Sequence, residues 1–230
     1  MEFESENELN RGLAGGSAKA RYEKLLKQRQ DRLVNRFPKA GKFLARVFTE
    51  PQNIKAWQTG AVGELAVGRR LDFLATKYGF ETLHDRSIPG SQANIDHIAV
   101  TSKGVFVLDT KYYQGLIKVK DRGGFFTKRT SELWIGNRNQ TKLVAEVQNQ
   151  VKVVQAILRS GVIDIPAVGV LAFYRAKWEP ISFLRPDKID GILLNSRGIN
   201  RLVSKRGPIT STEINYVVRL LAQSLPSATL

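Results

Sequence analysis

Cysteine is absent from the 230 residues, so disulfides, thiolate zinc sites and thiol catalysis are all excluded. Histidine is nearly absent as well, with only His84 and His97 in the chain. A histidine-rich metal site is therefore not expected, and we interpret both residues as structural.

Long apolar runs are also missing, and none is long enough to span a bilayer. The first ten residues, MEFESENELN, are acidic and polar, unlike a secretory signal. We therefore expect a cytoplasmic protein.

Acidic residues are few compared with basic ones. The chain has 36 Lys and Arg against 21 Asp and Glu, a formal net charge of +15. Such an excess favours a polyanionic partner, with nucleic acid first and an anionic membrane surface second. Charge alone does not separate these from a basic surface that only aids solubility. The length suits one domain of ordinary size with an appendage.

Residues 1–50 are predicted to be that appendage, an acidic tail followed by a basic helical arm. We expect residues 1–18 to be disordered, residues 18–37 to form a helix dense in Lys, Arg and Gln, and residues 51–57 to be a linker. The arm has three interpretations: an extension packed on the main domain, a grip on phosphate backbone, or a membrane-surface helix. Residues 51–230 are predicted to form a mixed α/β domain.

Two apolar segments, Asn94–Val100 and Gly104–Lys111, are predicted to pair as a β-hairpin. Side chains alternate along a strand, so Asp109 and Lys111 share a face and Asp96 approaches them from the neighbouring strand. Two carboxylates this close repel unless a cation lies between them, and oxygen ligands favour Mg²⁺ or Mn²⁺. An Asp-x-Lys at a strand end is also compatible with a simple ion pair.

A third acid, Glu64, precedes them on a predicted helix. Positions 64, 67, 71, 74 and 78 form one stripe that is apolar except for Glu64. Carboxylates seldom lie on such a stripe without a partner. The hypothesis is that Glu64 points to the cluster of Asp96, Asp109 and Lys111.

This combination resembles the PD-(D/E)xK nuclease superfamily and, within it, the nuclease-related domain known as NERD, over residues 58–160. The matching motifs are Gly60-x-x-Gly63-Glu64, Ile95-Asp96-His97, Gly104-Val105-Phe106-Val107, Asp109-Thr110-Lys111 and Tyr113-x-Gly115. Ile95 stands where the proline of the superfamily's name would be.

The resemblance implies a restriction-endonuclease-like core, a central mixed sheet flanked by helices. It also implies metal-dependent hydrolysis of nucleic acid, expected to be DNA. Glu64, Asp96, Asp109 and the Thr110 main-chain carbonyl would bind Mg²⁺ or Mn²⁺. Lys111 would orient the attacking water and stabilise developing charge.

Further residues are candidates for nucleic-acid contacts, although packing or a solvated face would explain each of them: Tyr113, Lys118, Lys120, Gln148 and Lys152. No small-molecule cofactor is expected, and the oligomeric state is not predicted. The alternative functions are a non-catalytic nucleic-acid-binding module on a nuclease scaffold, and a membrane-surface or protein-interaction domain that uses the basic arm.

Overall fold

A computed structural model describes residues 9–47, 50–123, 130–180, 188–195 and 199–228. Its helices are α1 (Gly16–Arg36), α2 (Gly41–Val47), α3 (Gln52–Tyr78), α4 (Lys142–Ser160), α5 (Ile199–Val203) and α6 (Ser211–Ser224). Its strands are β1 (Glu81–Ser87), β2 (Asn94–Thr101), β3 (Gly104–Tyr112), β4 (Leu116–Arg122), β5 (Thr130–Ile135), β6 (Arg138–Asn139), β7 (Ala167–Tyr174), β8 (Lys177–Trp178), β9 (Lys188–Ile189) and β10 (Ile192–Asn195).

The main sheet has six strands in the order β1-β2-β3-β7-β10-β9. β2 and β3 form the predicted antiparallel hairpin, and β3 pairs with β7 in parallel on its other side. β3 is thus an internal strand covered on both faces, which explains its nearly unbroken apolar run. A smaller sheet, in the order β6-β5-β4-β8, follows β3 in the chain. The mixed α/β class is confirmed.

Helices cover both faces of the main sheet. α3 packs on the face of β3 that carries Phe106 and Leu108. α4 and α6 pack on the other face, which carries Val105 and Val107. The alternation of side chains along β3 therefore divides the core into two layers. Among the described helices, none combines the length and the apolar character needed to cross a membrane.

The segment before α1 is ordered from residue 9 onward, so the expectation of disorder is wrong for residues 9–18; residues 1–8 lie outside the described part. The carbonyl of Arg11 accepts a hydrogen bond from the amide of His84 in β1. Gly12 has a φ of +73°, and a Cβ there would lie 2.0 Å from the His84 carbonyl oxygen. The glycines that suggested disorder instead allow two backbones to approach closely.

One buried cation ties both chain ends to the sheet. The Arg86 side chain in β1 is fully buried, and its guanidinium donates to the carbonyls of Asn10, Ala222 and Leu225 at 2.7–2.9 Å. A buried charge is tolerated when its hydrogen bonds are satisfied. Arg86 therefore links the N-terminal segment, β1 and the end of α6.

α3 begins at Gln52, so the expectation of a linker over residues 51–57 is wrong. Pro51 occupies the N-cap position with a φ of −55°, a value close to that of a helix. Contacts with α1 stabilise the first turns of α3: Gly15 lies against the carbonyl of Ala61, and Arg21 stacks on Trp57. Interhelical packing decides the position of this boundary.

Candidate active site

The end of β3 carries the acid and amine that the sequence indicated. Lys111 Nζ lies 2.9 Å from Oδ2 and 3.1 Å from Oδ1 of Asp109, and it donates its hydrogen bond to Oδ1. Asp109 is buried, whereas about a quarter of the Lys111 side chain is exposed. Both residues continue the row of Val105 and Val107 and thus point to the α4 side of the sheet. The amine reaches solvent while it remains paired with the carboxylate.

Asp96 approaches from β2, and the strand pairing changes at this point. The regular pairing of the hairpin ends in this direction at His97 and Leu108, so Asp96 lies opposite Asp109, one residue further on. There the amide of Thr110 donates a 2.7 Å hydrogen bond to Asp96 Oδ2. The buried carboxylate of Asp96 therefore accepts a hydrogen bond from the backbone of β3 at the position where Asp96 and Asp109 face each other.

Glu64 comes from α3, the helix on the opposite face of the sheet from α4. The preceding residue, Gly63, lies over the side chains of Thr110 and Tyr112, and a Cβ there would be 3.5 Å from each. Burial, followed by the negative charges of Asp85 and Asp109, raises the pKa of Glu64 to about 7 against the opposing charge of Lys111. Glu64 therefore lies within electrostatic reach of the cluster, although its helix belongs to the other layer.

The cluster carries more negative than positive charge. Burial raises the pKa of Asp96, and the charges of Asp109 and Glu64 raise it further. Burial alone would lower the pKa of Lys111, but Asp109 and Asp96 outweigh it and the pKa is raised. When ionised, the three predicted acids bring three negative charges, which the one lysine leaves mostly uncompensated.

Asp85 is a fourth acid of this cluster, and it was not predicted from the sequence. It lies in β1, fully buried, in the gap between the paired residues His84–His97 and Arg86–Ile95. Its φ is +48°, a left-handed conformation that Asp tolerates better than most residues do. In the sequence Asp85 is a single acid between His84 and Arg86, and no motif marks it as part of the cluster.

The start of α1 holds Asp85 in place. The Ser17 amide and hydroxyl donate to its carboxylate at 2.6 and 2.7 Å, and Asn94 Nδ2 donates at 2.6 Å. A carboxylate that accepts an amide in the first turn of a helix is favoured by the helix dipole. The arm predicted as an appendage thus contacts the acid cluster directly.

The two histidines form a separate buried chain. His84 Nδ1 lies 2.9 Å from His97 Nδ1, and His84 Nε2 lies 2.8 Å from Asp72 Oδ1. Burial, followed by the charge of His84, places the pKa of His97 well below its usual value. His97 points away from Asp96, as β-strand alternation requires, and both histidines pack within the protein.

The remaining candidates contact other parts of the protein. The Tyr113 hydroxyl donates to Gln140 at 3.3 Å, Lys118 pairs with Glu179 at 2.9 Å, and Gln148 donates to the Asp190 carbonyl at 2.9 Å. Lys120 lies over the ring of Trp134 at 3.9 Å, and Lys152 is exposed on α4. These partners are all outside the acid cluster.

The donor set fits a hard divalent cation in its chemistry. Oε2 of Glu64 is buried without a hydrogen-bond partner, and the buried Oδ2 of Asp109 has only its ion pair with Lys111. Oxygen donors with excess negative charge suit Mg²⁺ or Mn²⁺. In this arrangement, no group of three or more His, Cys, Asp and Glu side chains within the described ranges is spaced to hold a metal.

Comparison with known proteins agrees with this architecture. The family model described as "Nuclease-related domain" matches residues 59–174, a range that contains all four predicted site residues and β1, β2 and β3. Searches of curated proteins and of solved structures gave no significant match. Since the match covers half of the chain, the protein belongs to the nuclease-related domain family, NERD.

Proposed function

We propose that this protein is a metal-dependent nuclease that hydrolyses phosphodiester bonds in nucleic acid, with DNA as the expected substrate. The observation that carries the proposal is the buried cluster of Glu64, Asp96 and Asp109 around one lysine. Carboxylates held together in a buried site are costly to ionise, and here burial and neighbouring negative charge raise the pKa of Glu64 and of Asp96. A divalent cation would remove that cost, which gives a functional reason for keeping them together.

In this proposal Asp96, Asp109 and Glu64 hold Mg²⁺ or Mn²⁺, with the Thr110 main-chain carbonyl as a further ligand. The bound cation would polarise the phosphate and make water more acidic. Glu64 Oε2 has no hydrogen bond to break on binding the cation, whereas Asp109 Oδ2 would exchange its ion pair with Lys111 for the cation.

Lys111 has the role of a fixed cation rather than that of a base. Its raised pKa keeps it protonated at physiological pH, so it cannot accept a proton from water. Its partly exposed ammonium group can donate hydrogen bonds to a phosphate oxygen and to the attacking water. Charge that develops on the phosphate in the transition state is then stabilised by an amine held 2.9 Å from Asp109.

The second candidate is a non-catalytic nucleic-acid-binding module, and one observation favours it. Lys111 is already paired with Asp109, and Asp96 already accepts from the Thr110 amide. The cluster therefore satisfies part of its own charge without a metal ion. If the cluster stayed in this arrangement, the protein would bind nucleic acid through its exposed Lys and Arg side chains and would not cleave it.

Cleavage assays with the 230-residue chain separate the two candidates. Supercoiled plasmid, linear duplex, single-stranded DNA and RNA are each incubated with Mg²⁺, with Mn²⁺ and with EDTA. The nuclease proposal predicts cleavage of at least one substrate with a divalent cation and none with EDTA. Binding of these substrates without cleavage under any cation, and with the same affinity in EDTA, would favour the binding module instead.

A further inference from the structure

One exposed stripe of α1 carries an excess of positive charge. Its members follow one another at spacings of three, four, four and three residues and therefore share one side of the helix. All five are exposed, and they are three cations and two amides: Arg21, Lys24, Gln28, Arg32 and Asn35. Asp31 lies at the edge of the stripe, three residues after Gln28 and four before Asn35, and it offsets one of the three positive charges. Glu23 lies on another side of the helix and approaches Lys19 at 3.9 Å.

The stripe begins next to the acid cluster. α1 starts where Ser17 donates to Asp85, and one turn later Arg21 stacks over Trp57 with its guanidinium carbon 6.0 Å from the ring centre. Trp57 and Glu64 are seven residues apart on α3, which places them on the same side of the helix, about 10 Å apart along its axis. Arg21 thus marks the end of the stripe that lies nearest to Glu64.

The other end of the stripe points away from the cluster. Fourteen residues separate Arg21 from Asn35, a length of about 21 Å along the helix axis. A nucleic-acid strand carries a phosphate at each step, and the stripe offers a matching row of cations and amide donors over that distance. Trp57 remains 43% exposed beside Arg21, so part of its side chain is accessible at the inner end.

We propose that the outer stripe of α1, together with Trp57, binds the phosphate backbone of a nucleic-acid segment that flanks the cleavage site. The proposal rests on the proposed function for the position of that site, but the binding itself requires no cleavage. The stripe orients the flanking strand toward Glu64, and the base nearest to the acid cluster stacks against Trp57.

Charge removal tests the stripe. The triple variant Arg21→Gln, Lys24→Gln, Arg32→Gln removes three cations. A matched control, Lys142→Gln, Arg159→Gln, Arg219→Gln, removes three exposed cations from α4 and α6 on the opposite face of the sheet. Affinities for a labelled duplex and for a labelled single strand are measured in EDTA over a series of salt concentrations.

The stripe variant should flatten the dependence of log affinity on log salt by about 2.7 for duplex or about 2.1 for a single strand. Between about 50 and 200 mM salt, the wild type should therefore lose roughly 40-fold more duplex affinity than the variant. The control should keep the wild-type slope. Equal slopes for the wild type and the stripe variant would overturn the proposal, as would the same loss in both variants.

Two further measurements distinguish lost phosphate contacts from unfolding and from membrane binding. Circular dichroism and thermal unfolding show whether the stripe variant is folded, and the double variant Lys24→Gln, Arg32→Gln keeps the Arg21–Trp57 contact. Vesicles of phosphatidylcholine and phosphatidylserine replace nucleic acid in a parallel titration. If the stripe variant loses vesicle binding but keeps its nucleic-acid slope, the stripe is a membrane surface and the proposal is wrong.

Trp57 fluorescence gives a readout independent of charge. The chain has three tryptophans, and the Trp57→Phe variant leaves the other two in place. Nucleic acid should change the emission of the wild type in EDTA, and most of that change should disappear in Trp57→Phe. An unchanged response would refute the contact. Cleavage with an unchanged salt slope would support the proposed function and overturn only the stripe, whereas binding through the stripe without cleavage would do the reverse.

Discussion

The charge of Glu64 should make the protein less stable as the pH rises, and Glu64→Gln should remove that effect. Burial and the charges of Asp85 and Asp109 raise the pKa of Glu64 from 4.5 to about 7. An acid whose pKa is higher in the folded state binds its proton more tightly there. Its favourable contribution is complete below pH 4.5 and is lost as the pH rises to about 7.

The size of the effect follows from the same two pKa values. A difference of about 2.5 corresponds to about 3 kcal/mol of unfolding free energy. That figure is an upper limit, because Glu64 shares the proton with neighbouring acids and part of the cost remains with Asp96 and Asp109. We expect the free energy of unfolding of Glu64→Gln to be higher than that of the wild type by about 1–3 kcal/mol at pH 8, and by less than about 1 kcal/mol at pH 5.

Urea unfolding in EDTA at the two pH values measures this difference. Glu23→Gln is the matched control, because Glu23 is an exposed acid on α1 whose nearest cation, Lys19, lies 3.9 Å away. The control should change stability by less than about 0.5 kcal/mol at either pH. A Glu64→Gln variant with the wild-type stability, or a lower one, at pH 8 would show that the Glu64 charge does not destabilise the fold.

Three further results are expected. Without divalent cations, Asp109→Asn should have a higher melting temperature than the wild type, because it relieves repulsion among the acids, and a lower melting temperature would contradict this. In a binding titration, the affinity of Asp109→Asn for Mn²⁺ should be lower than that of the wild type. In thermal unfolding, Mg²⁺ or Mn²⁺ at 100 times its dissociation constant should stabilise the wild type by about 2.7 kcal/mol and Asp109→Asn by much less. The same stabilisation of both proteins would mean that the cation binds elsewhere. Arg86→Met should cost about 3 kcal/mol or more in urea unfolding, because it leaves the carbonyls of Asn10, Ala222 and Leu225 without their donor, and a loss below about 1 kcal/mol would show that water replaces it.

The sequence predicted the parts of the fold whose periodicity is simple. β2 and β3 are internal strands of the main sheet, so their apolar runs and the turn between them were sufficient to locate the hairpin. The apolar residues of α4 recur at helical spacing and are buried, and Thr210 and Glu213 form a capping box at the start of α6. In each case one local pattern determines one element, and tertiary contacts only reinforce it.

Long-range contacts determine the parts that the sequence did not predict. Glycines near the N-terminus suggested disorder, yet Gly12 allows the chain to lie against the backbone of His84. Composition cannot distinguish a glycine that permits close packing from one that permits disorder. The start of α3 was missed for a similar reason, since its first turns are stabilised by α1 rather than by a strong local signal.

The cluster shows the same division between local and distant information. Asp96, Asp109 and Lys111 follow from alternation on two adjacent strands. The part played by Asp85 depends on a left-handed residue in β1 and on Ser17, which is 68 residues away in the chain. Neither the left-handed backbone at Asp85 nor its contact with Ser17 can be predicted from residue spacing. The layer from which Glu64 approaches was likewise decided by packing, because α3 covers the face of β3 opposite to α4.

Cleavage by a single pair of lysine variants tests the central claim most directly. Lys111 and Lys103 belong to the same hairpin, but Lys103 is exposed in the turn at the end away from the acids. Supercoiled plasmid is incubated with the wild type, Lys111→Ala and Lys103→Ala in Mn²⁺, and all three are checked for equal thermal stability in EDTA. We predict that Lys111→Ala cuts about 10²–10³ times more slowly than the wild type while Lys103→Ala cuts at the wild-type rate. A wild type that cuts in Mn²⁺ and a Lys111→Ala variant that cuts equally fast would contradict the assignment of the site.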